Sequence, residues 1–531
     1  MEFGGKINFR DRDNDNFCAA EKITSSSNLK EVSEDFILPD YLPDVKKVVW
    51  VNTSSSIDGR FVGAGTLEYE GSVIYRVFFI TEDNSLANVV FTSSFSNKIV
   101  HEDLSEDSVD LIQPAVEQIS CRLQNPRKFN IRARVGANVT IWRRGSFLPE
   151  VYGGKDGDES GLETRVATVS AMNMMNIRES DFTLAEDIIV EKSLPAIGNL
   201  VYTVADIFVD EARAAKDKLT IKGNCDVECL YRSGGEDGPV VYTMIRRSWP
   251  VTQTIDALGI SEGYEGMVTV SVTNLETNVR DDESGERRLI EVDATYNIDA
   301  ECAIQKDLAI VRDIYSLTRE CQITTKKMTI TNFARSLREN FSVNENFLLA
   351  ELTDEDIDHI IGTKININLS NIPAESKKGT VILEGTANVS VVGHNAAGLT
   401  TELNVVIPIR FDTDIKNTGN IKIKTNARAL NIRCRADNGK LYVDFEAAFV
   451  SMVYVETQCE LVENVKLLGE LAVFAGAQVQ AEAAMILYYP DNGENLWDIA
   501  KKYGTTTERL QKQNSISSES SVLPKVIVIP A

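Results

Sequence analysis

Cys225 and Cys229 stand in the run Lys222-Gly223-Asn224-Cys225-Asp226-Val227-Glu228-Cys229-Leu230-Tyr231, a spacing that could hold a metal ion or close a disulfide. The alternation around them reads as a strand, on which four residues span about 13 Å, too far for shared ligation or an S–S bond. Core packing is the expectation for both. Asp11-Arg12-Asp13-Asn14-Asp15-Asn16 has the acid density of a calcium loop. The glycine and glutamate that such a loop needs are Asn16 and Lys22 here, so a solvated polar tail is expected instead. His101, His359 and His394 are scattered, and no HExxH helix is present. The many carboxylates form no catalytic constellation, and no Gly-rich phosphate loop leads from a strand into a helix. The chain therefore reads as non-enzymatic, with no catalytic residue, metal ligand or cofactor.

The elements that position these residues repeat. Glu70-Gly71-Ser72-Val73-Ile74-Tyr75-Arg76-Val77-Phe78-Phe79, the Gly223 run above, and Glu384-Gly385-Thr386-Ala387-Asn388-Val389-Ser390-Val391-Val392-Gly393 share one pattern: a glycine, then apolar residues at alternate places. Such alternation predicts a strand with one buried face. Ile74 and Phe78 make the first copy apolar on both faces, which sets it deeper in its sheet. The glycines lie 152 and 162 residues apart. An upstream marker keeps step, with Asp35, Asp187 and Asn346 standing 36, 36 and 39 residues before their glycines. Leu42-Pro43 and Leu194-Pro195 keep step as well. Units of this length exceed solenoid repeats and predict three domains. Each glycine is expected to open its strand, at a bulge or a close backbone approach.

The second halves of the units match too. Phe129, Ile131, Ala133 and Val135 alternate after Asn125-Pro126-Arg127-Lys128, as do Leu289-Ile290-Glu291-Val292-Asp293-Ala294 and Leu441-Tyr442-Val443-Asp444-Phe445-Glu446. Ser284-Gly285 and Asp437-Asn438-Gly439 supply hairpin turns. The fold class is mainly β: three antiparallel, sandwich-like units. Residues 1–30 read as a polar tail, 31–175, 176–335 and 336–466 as the three units, and 467–484 as a packed linker. A short helix is expected within 332–346.

From residue 485 the character changes. Met485–Tyr489 reads as a strand, Asn495 as the cap of a helix through Leu496, Ile499, Ala500 and Tyr503, and Gly504 as its stop. Thr505-Thr506-Thr507-Glu508 has capping-box spacing for a second helix to about Asn514, and Val526–Pro530 closes as a strand. Residues 485–531 form this β-α-α-β module. It carries five basic and five acidic residues, so the net charge of −24 belongs to the rest of the chain.

That charge argues against a nucleic-acid groove or an anionic membrane surface as partner. No apolar run is long enough to insert in a membrane, and Met1–Lys6 lacks a secretion signal's apolar core, so a cytoplasmic protein is expected. Eight thinly spread cysteines suit reduced, buried thiols.

Tyr489-Pro490-Asp491-Asn492-Gly493-Glu494-Asn495-Leu496-Trp497-Asp498-Ile499-Ala500, with Leu510, Asn514, Ile516 and Val528-Ile529-Pro530, resembles a LysM module. That resemblance implies binding of N-acetylglucosamine chains, as in peptidoglycan, by the loops holding Gly493, Glu494, Asn495 and Leu496, then Asn514, Ser515 and Ile516. The body resembles the SPOCS-domain proteins of endospore-forming bacteria, through Leu42-Pro43-Asp44-Val45, the Gly71 strand and Asn125-Pro126-Arg127-Lys128. Together the two resemblances imply a spore-coat morphogenetic protein of the mother-cell cytoplasm at the forespore surface. They imply docking through LysM to an ATPase-type morphogenetic protein of the coat's basement layer. An anchored peptidoglycan-binding protein is the alternative, and a self-assembling fibre subunit a third reading, because exposed β edges can pair.

Overall fold

Alternating apolar and polar residues run through almost the whole chain, and strands dominate the result. The computed structural model describes residues 5–7, 18–145, 147–154, 161–234, 240–353, 357–369, 380–395, 400–414, 420–470, 485–491, 493–516 and 523–530. Asp11–Asn16 and residues 471–484 of the expected linker lie outside these residues.

After the short β1 (Gly5–Ile7) come β2 (Cys18–Ile37), β3 (Val45–Gly63), β4 (Thr66–Thr81), β5 (Leu86–Val100), β6 (Val109–Asn125) and β7 (Lys128–Gly145). They make an antiparallel three-stranded meander, β3-β4-β5, and the antiparallel set β2-β7-β6 with β7 central, which is one end of an eight-stranded sheet. After β8 (Glu150–Gly154), the same order returns in β9 (Leu162–Ile189), β10 (Asn199–Ala215), β11 (Lys218–Ser233), β12 (Val241–Asp256), β13 (Glu265–Asp281) and β14 (Arg287–Ser316). Its sheets are β10-β11-β12 and β9-β14-β13. The third set is β15 (Arg319–Leu348), the one-turn helix α1 (Leu349–Leu352), β16 (His359–Leu369), β17 (Thr380–His394), β18 (Thr400–Asp414), β19 (Asn420–Asp437) and β20 (Lys440–Glu470). Here the meander is β16-β17-β18, while β15-β20-β19 belongs to the same eight-stranded sheet as β2-β7-β6, joined through β15 and β2, with β8 parallel to β20 and β1 beyond it.

The alternating residues form the sandwich cores. Val73, Tyr75, Val77 and Phe79 of β4 pack against Phe129, Ile131, Ala133 and Val135 of β7. Cys225, Val227, Cys229 and Tyr231 of β11 face Ile290, Val292, Ala294 and Tyr296 of β14. Ala387, Val389 and Val391 of β17 face Leu441, Val443, Phe445 and Ala447 of β20. The turns are as expected, with Gly285, Asn438 and Gly439 in the left-handed region between paired strands.

Four features differ from the sequence reading. The repeat glycines do not open their strands; Gly71, Gly223 and Gly385 each sit sixth in β4, β11 and β17. A Cβ at these positions would overlap the carbonyl oxygen of Ser56, Phe208 or Asn368 on the adjacent strand. Close backbone approach is therefore what requires glycine. Residues 332–346 form no helix; they lie within β15 and pair residue by residue with β20. β2 begins at Cys18, inside the stretch read as a polar tail. Finally, β9 and β15 run on through residues 175 and 335, where the sequence reading divided the units.

The sandwiches pack on one another through several shared clusters. Phe78, Leu230 and Val392, each seven residues after its repeat glycine, share a cluster with Trp50, Tyr202 and Ile361. This explains the two apolar faces of the first copy: Phe78 points at the sister units. In the other layer, Trp142 of β7, Met172 and Met174 of β9, Phe333 of β15 and Met452 of β20 form a second shared core. β2 also joins β15 directly, with Glu21 opposite Ile330.

Gly71→Ala, Gly223→Ala and Gly385→Ala should each lower stability by about 1–3 kcal/mol through overpacking. Gly469→Ala, with nothing near its Cβ position, should not. Urea unfolding followed by circular dichroism checks this.

Candidate functional site

The C-terminal module is built from β21 (Met485–Tyr488), α2 (Leu496–Lys502), α3 (Thr507–Asn514) and β22 (Ile527–Pro530), with β21 and β22 paired antiparallel. The i, i+3, i+4 residues Leu496, Ile499 and Ala500, with Trp497 beside them, pack one side of α2 against Leu510, Ile527 and Ile529. Asn495 caps α2, its Oδ1 accepting from the Asp498 amide at 3.1 Å. Gly504 ends that helix in the left-handed region. The cap of α3 is Thr506 bonded to the Arg509 amide, one residue later than the Thr505–Glu508 box expected from sequence.

Several of the expected loop residues are already bonded within the module. Glu494 accepts from the Tyr488 hydroxyl at 2.7 and 2.9 Å and from the Asp491 amide at 3.0 Å. The Tyr488 bond leads in holding its carboxyl below the usual range, while Lys502 lies over the Tyr488 ring at 4.9 Å. Asn514 donates to the Leu510 and Val528 carbonyls and accepts from the Val528 amide, tying α3 to β22. Leu496 joins the module's apolar cluster. Gly493, at φ 92°, and Ser515, at φ 52°, are exposed, and Ile516 is half-buried. No hydrogen bond links the 493–496 group to the 514–516 group among the described residues.

The module rests on the second unit, a contact that the sequence did not reveal. Trp497 Nε1 donates to Asp313 of β14 at 2.7 Å, and Lys501 Nζ reaches both oxygens of the same carboxylate at 2.7 and 2.9 Å. The Tyr315 hydroxyl donates to the Thr505 carbonyl at 2.6 Å, and its ring meets Trp497 edge-on at 4.9 Å. Burial alone would raise the Asp313 pKa, but the bonds from Lys501 and Trp497 outweigh it and the net shift is downward. Trp497 is thus shared between the module's core and its seat on the body. Asp313 and Tyr315 sit in an ordinary strand pattern, where nothing distinguishes them without the fold.

The other candidates show no chemistry of their own. Cys225 and Cys229 face one core on either side of Val227, and burial pushes their thiols up to about 12 and about 11. His359 and His394, far apart in sequence, lie opposite each other across β16 and β17. No group of three or more histidines, cysteines or acids that could hold a metal ion occurs among the described residues.

Two measurements follow from this geometry. Cys225, Cys229 and Cys302 should resist a thiol reagent at neutral pH in the native protein and react once it is denatured, as the same titration in urea shows. Asp313→Ala should speed hydrogen exchange across residues 496–514 while leaving the three sandwiches unchanged. Because the folded carboxyl's pKa is depressed, its contribution is present above the ordinary value of 3.8 and lost as pH falls through the lowered one. Wild-type exchange over the same residues should therefore approach that of the variant in acid.

Two family models match the chain. One, described as SipL, SPOCS domain, covers residues 196–280, from just before β10 into β13. The other, described as LysM domain, covers residues 492–529. No curated protein and no solved structure matches the chain. Both matched domains are non-catalytic, binding-type modules, and no helix among the described residues is long and apolar enough to cross a membrane. The strand order of the matched second unit recurs in the first and third. The chain thus carries a SPOCS domain in its second unit and a LysM domain at its C-terminal module, domains that support a sporulation-related protein.

Proposed function

We propose that the protein is a non-enzymatic assembly scaffold of the spore coat, working in the mother-cell cytoplasm at the forespore surface. Its LysM module docks a morphogenetic protein of the coat's basement layer, an ATPase-type partner, and so links coat to forespore. One observation carries this reading over glycan capture: the loop groups best suited to sugar hydroxyls are occupied. Glu494 has two internal donors, the Tyr488 hydroxyl and the Asp491 amide, Asn495 caps α2, and Asn514 is bonded on both its nitrogen and its oxygen. What the loops leave accessible is Gly493, Ser515 and part of Ile516, a small and weakly polar surface better suited to a protein face. The module's neutrality on a body that carries the whole −24 supports approach by a partner that the acidic body would hold differently.

The second reading, a peptidoglycan-binding protein anchored to cortex or wall, rests on the LysM match itself.

Ser515→Ala and Ile516→Ala together, in the full chain, should weaken recovery of the basement-layer ATPase from sporulating cells without lowering the melting temperature. Asn495→Ala serves as the contrast. It should cost about 1 kcal/mol of module stability through loss of the cap, so any docking defect there mixes with folding. Tight binding of N-acetylglucosamine oligomers by the full chain, lost in the double variant while the ATPase is still recovered, overturns the docking proposal in favour of glycan.

A further inference from the structure

The three meanders end in corresponding edge strands, β5, β12 and β18. The registers align them. The residue after each repeat glycine, Ser72, Asn224 or Thr386, lies opposite Ser94, Pro250 or Pro408 respectively. Proline has no N–H to give the neighbouring strand, so at this position the backbone nitrogen points outward, away from the sheet. Two of the three edges therefore lack the outward donor that another strand would need. β5 keeps it, at Ser94.

β5 is open in other respects too. Lys98 is its one charged residue in 15, whereas β12 carries Arg246, Arg247 and Asp256 and β18 carries Glu402, Arg410, Asp412 and Asp414. Val90 and Val100 are 53% and 71% exposed, and Phe91 and Phe95 on the inner face are only half-buried. The start of β5 is held by the second unit, where the Leu86 amide donates to the Tyr242 hydroxyl at 2.8 Å and Asn88 donates to the Val201 carbonyl. From Val90 to Val100, no strand among the described residues pairs with its outer side. A long, nearly uncharged, unblocked edge is a template for strand addition.

We propose that this edge is a dimer interface, filled by β5 of a second copy of the chain. The two strands run antiparallel about a twofold axis at Ser94, making one six-stranded sheet across two molecules. That register sets Ser94 opposite its own copy, each donating its outward N–H to the other's carbonyl. Thr92 then faces Ser96 and Val90 faces Lys98, so no like charges meet. The net charge of −24 repels two copies at a distance, but exposed charges are screened beyond about 8 Å at physiological ionic strength. Because the contact uses the same patch on both partners, it closes at two. The prolines of β12 and β18 keep those two corresponding edges from extending the assembly.

Analytical ultracentrifugation of the full chain at low micromolar concentration tests this. The wild type should sediment with the mass of two chains. Ser94→Pro, which copies the residue tolerated at the same position in β12 and β18, should weaken dimerisation by at least about tenfold, roughly the effect of the lost outward bonds. Thr92→Lys with Ser96→Lys should give a monomer independently, because the pairing sets these lysines against each other. Unchanged circular dichroism and melting confirm that the variants fold. Pro250→Ser should add species larger than the dimer. A monomeric wild type, a dimer indifferent to both β5 variants, or an edge filled only by another protein's strand overturns the proposal.

Discussion

Phe78, Leu230 and Val392 meet where the three meanders converge, and the rest of the architecture depends on that meeting. A sandwich needs one apolar face per sheet, and the residues inside each unit satisfy it. These three are on the opposite face. Left in water they would make each unit an independent bead with an apolar patch; packed together with Trp50 and Tyr202, they make the repeats one body. Burying a side chain of this size is worth about 1.5–3 kcal/mol. A junction shared by equivalent positions also fixes how the units are rotated relative to each other. The long strands β9, β14, β15 and β20 follow from it, since they continue past their own sandwich to line the second shared core.

The LysM module is attached by a different kind of contact. Its seat is one carboxylate, Asp313, satisfied by an indole and an ammonium, with Tyr315 beside it. The contact is small and polar, and partly exposed salt bridges of this type contribute little on their own. It orients the module more than it binds it. Trp497 is the cost of that arrangement, because an aromatic that a very small core needs is also the anchor to the body.

Much of the fold was legible because strand side chains alternate with a period of two. The residues singled out by alternation in β4, β11, β17, β7, β14 and β20 are the ones that fill the cores. The repeat spacing carried over for the same reason: equivalent sandwiches need equivalent glycines. What could not be read depends on partners distant in the chain. Residues 332–346 contain good helix formers, yet pairing with β20 overrides that propensity. The glycine's place within its strand is set by a carbonyl on the neighbouring strand. In the module, the helices, the Asn495 cap and the core were legible from local signals, whereas the exact cap of α3, the internal use of Glu494 and Asn514 and the role of Asp313 needed the tertiary structure. The meeting of His359 and His394 across a hairpin is a further case that only register reveals.

Charge between the units completes the logic. Arg60 and Asp110 of the first unit, Arg178, Asp299 and Glu301 of the second, and Lys424 of the third form a chain of pairs across the interior. Desolvating such groups offsets most of their attraction, so the pairs add little net stability. Burial holds the Lys424 amine well below its ordinary pKa against the opposing pull of Asp299, and Glu301 is its ion-pair partner. Their value lies in what a wrong assembly would cost. Shift one unit against another by a single register step, and a carboxylate or an ammonium is buried with no counter-charge, at several kcal/mol each. The apolar clusters pull the units together from many angles, whereas the ionic chain accepts one. A body that repeats one sandwich three times has near-equivalent ways to pack. The unequal distribution of acids and bases among otherwise similar units removes that ambiguity.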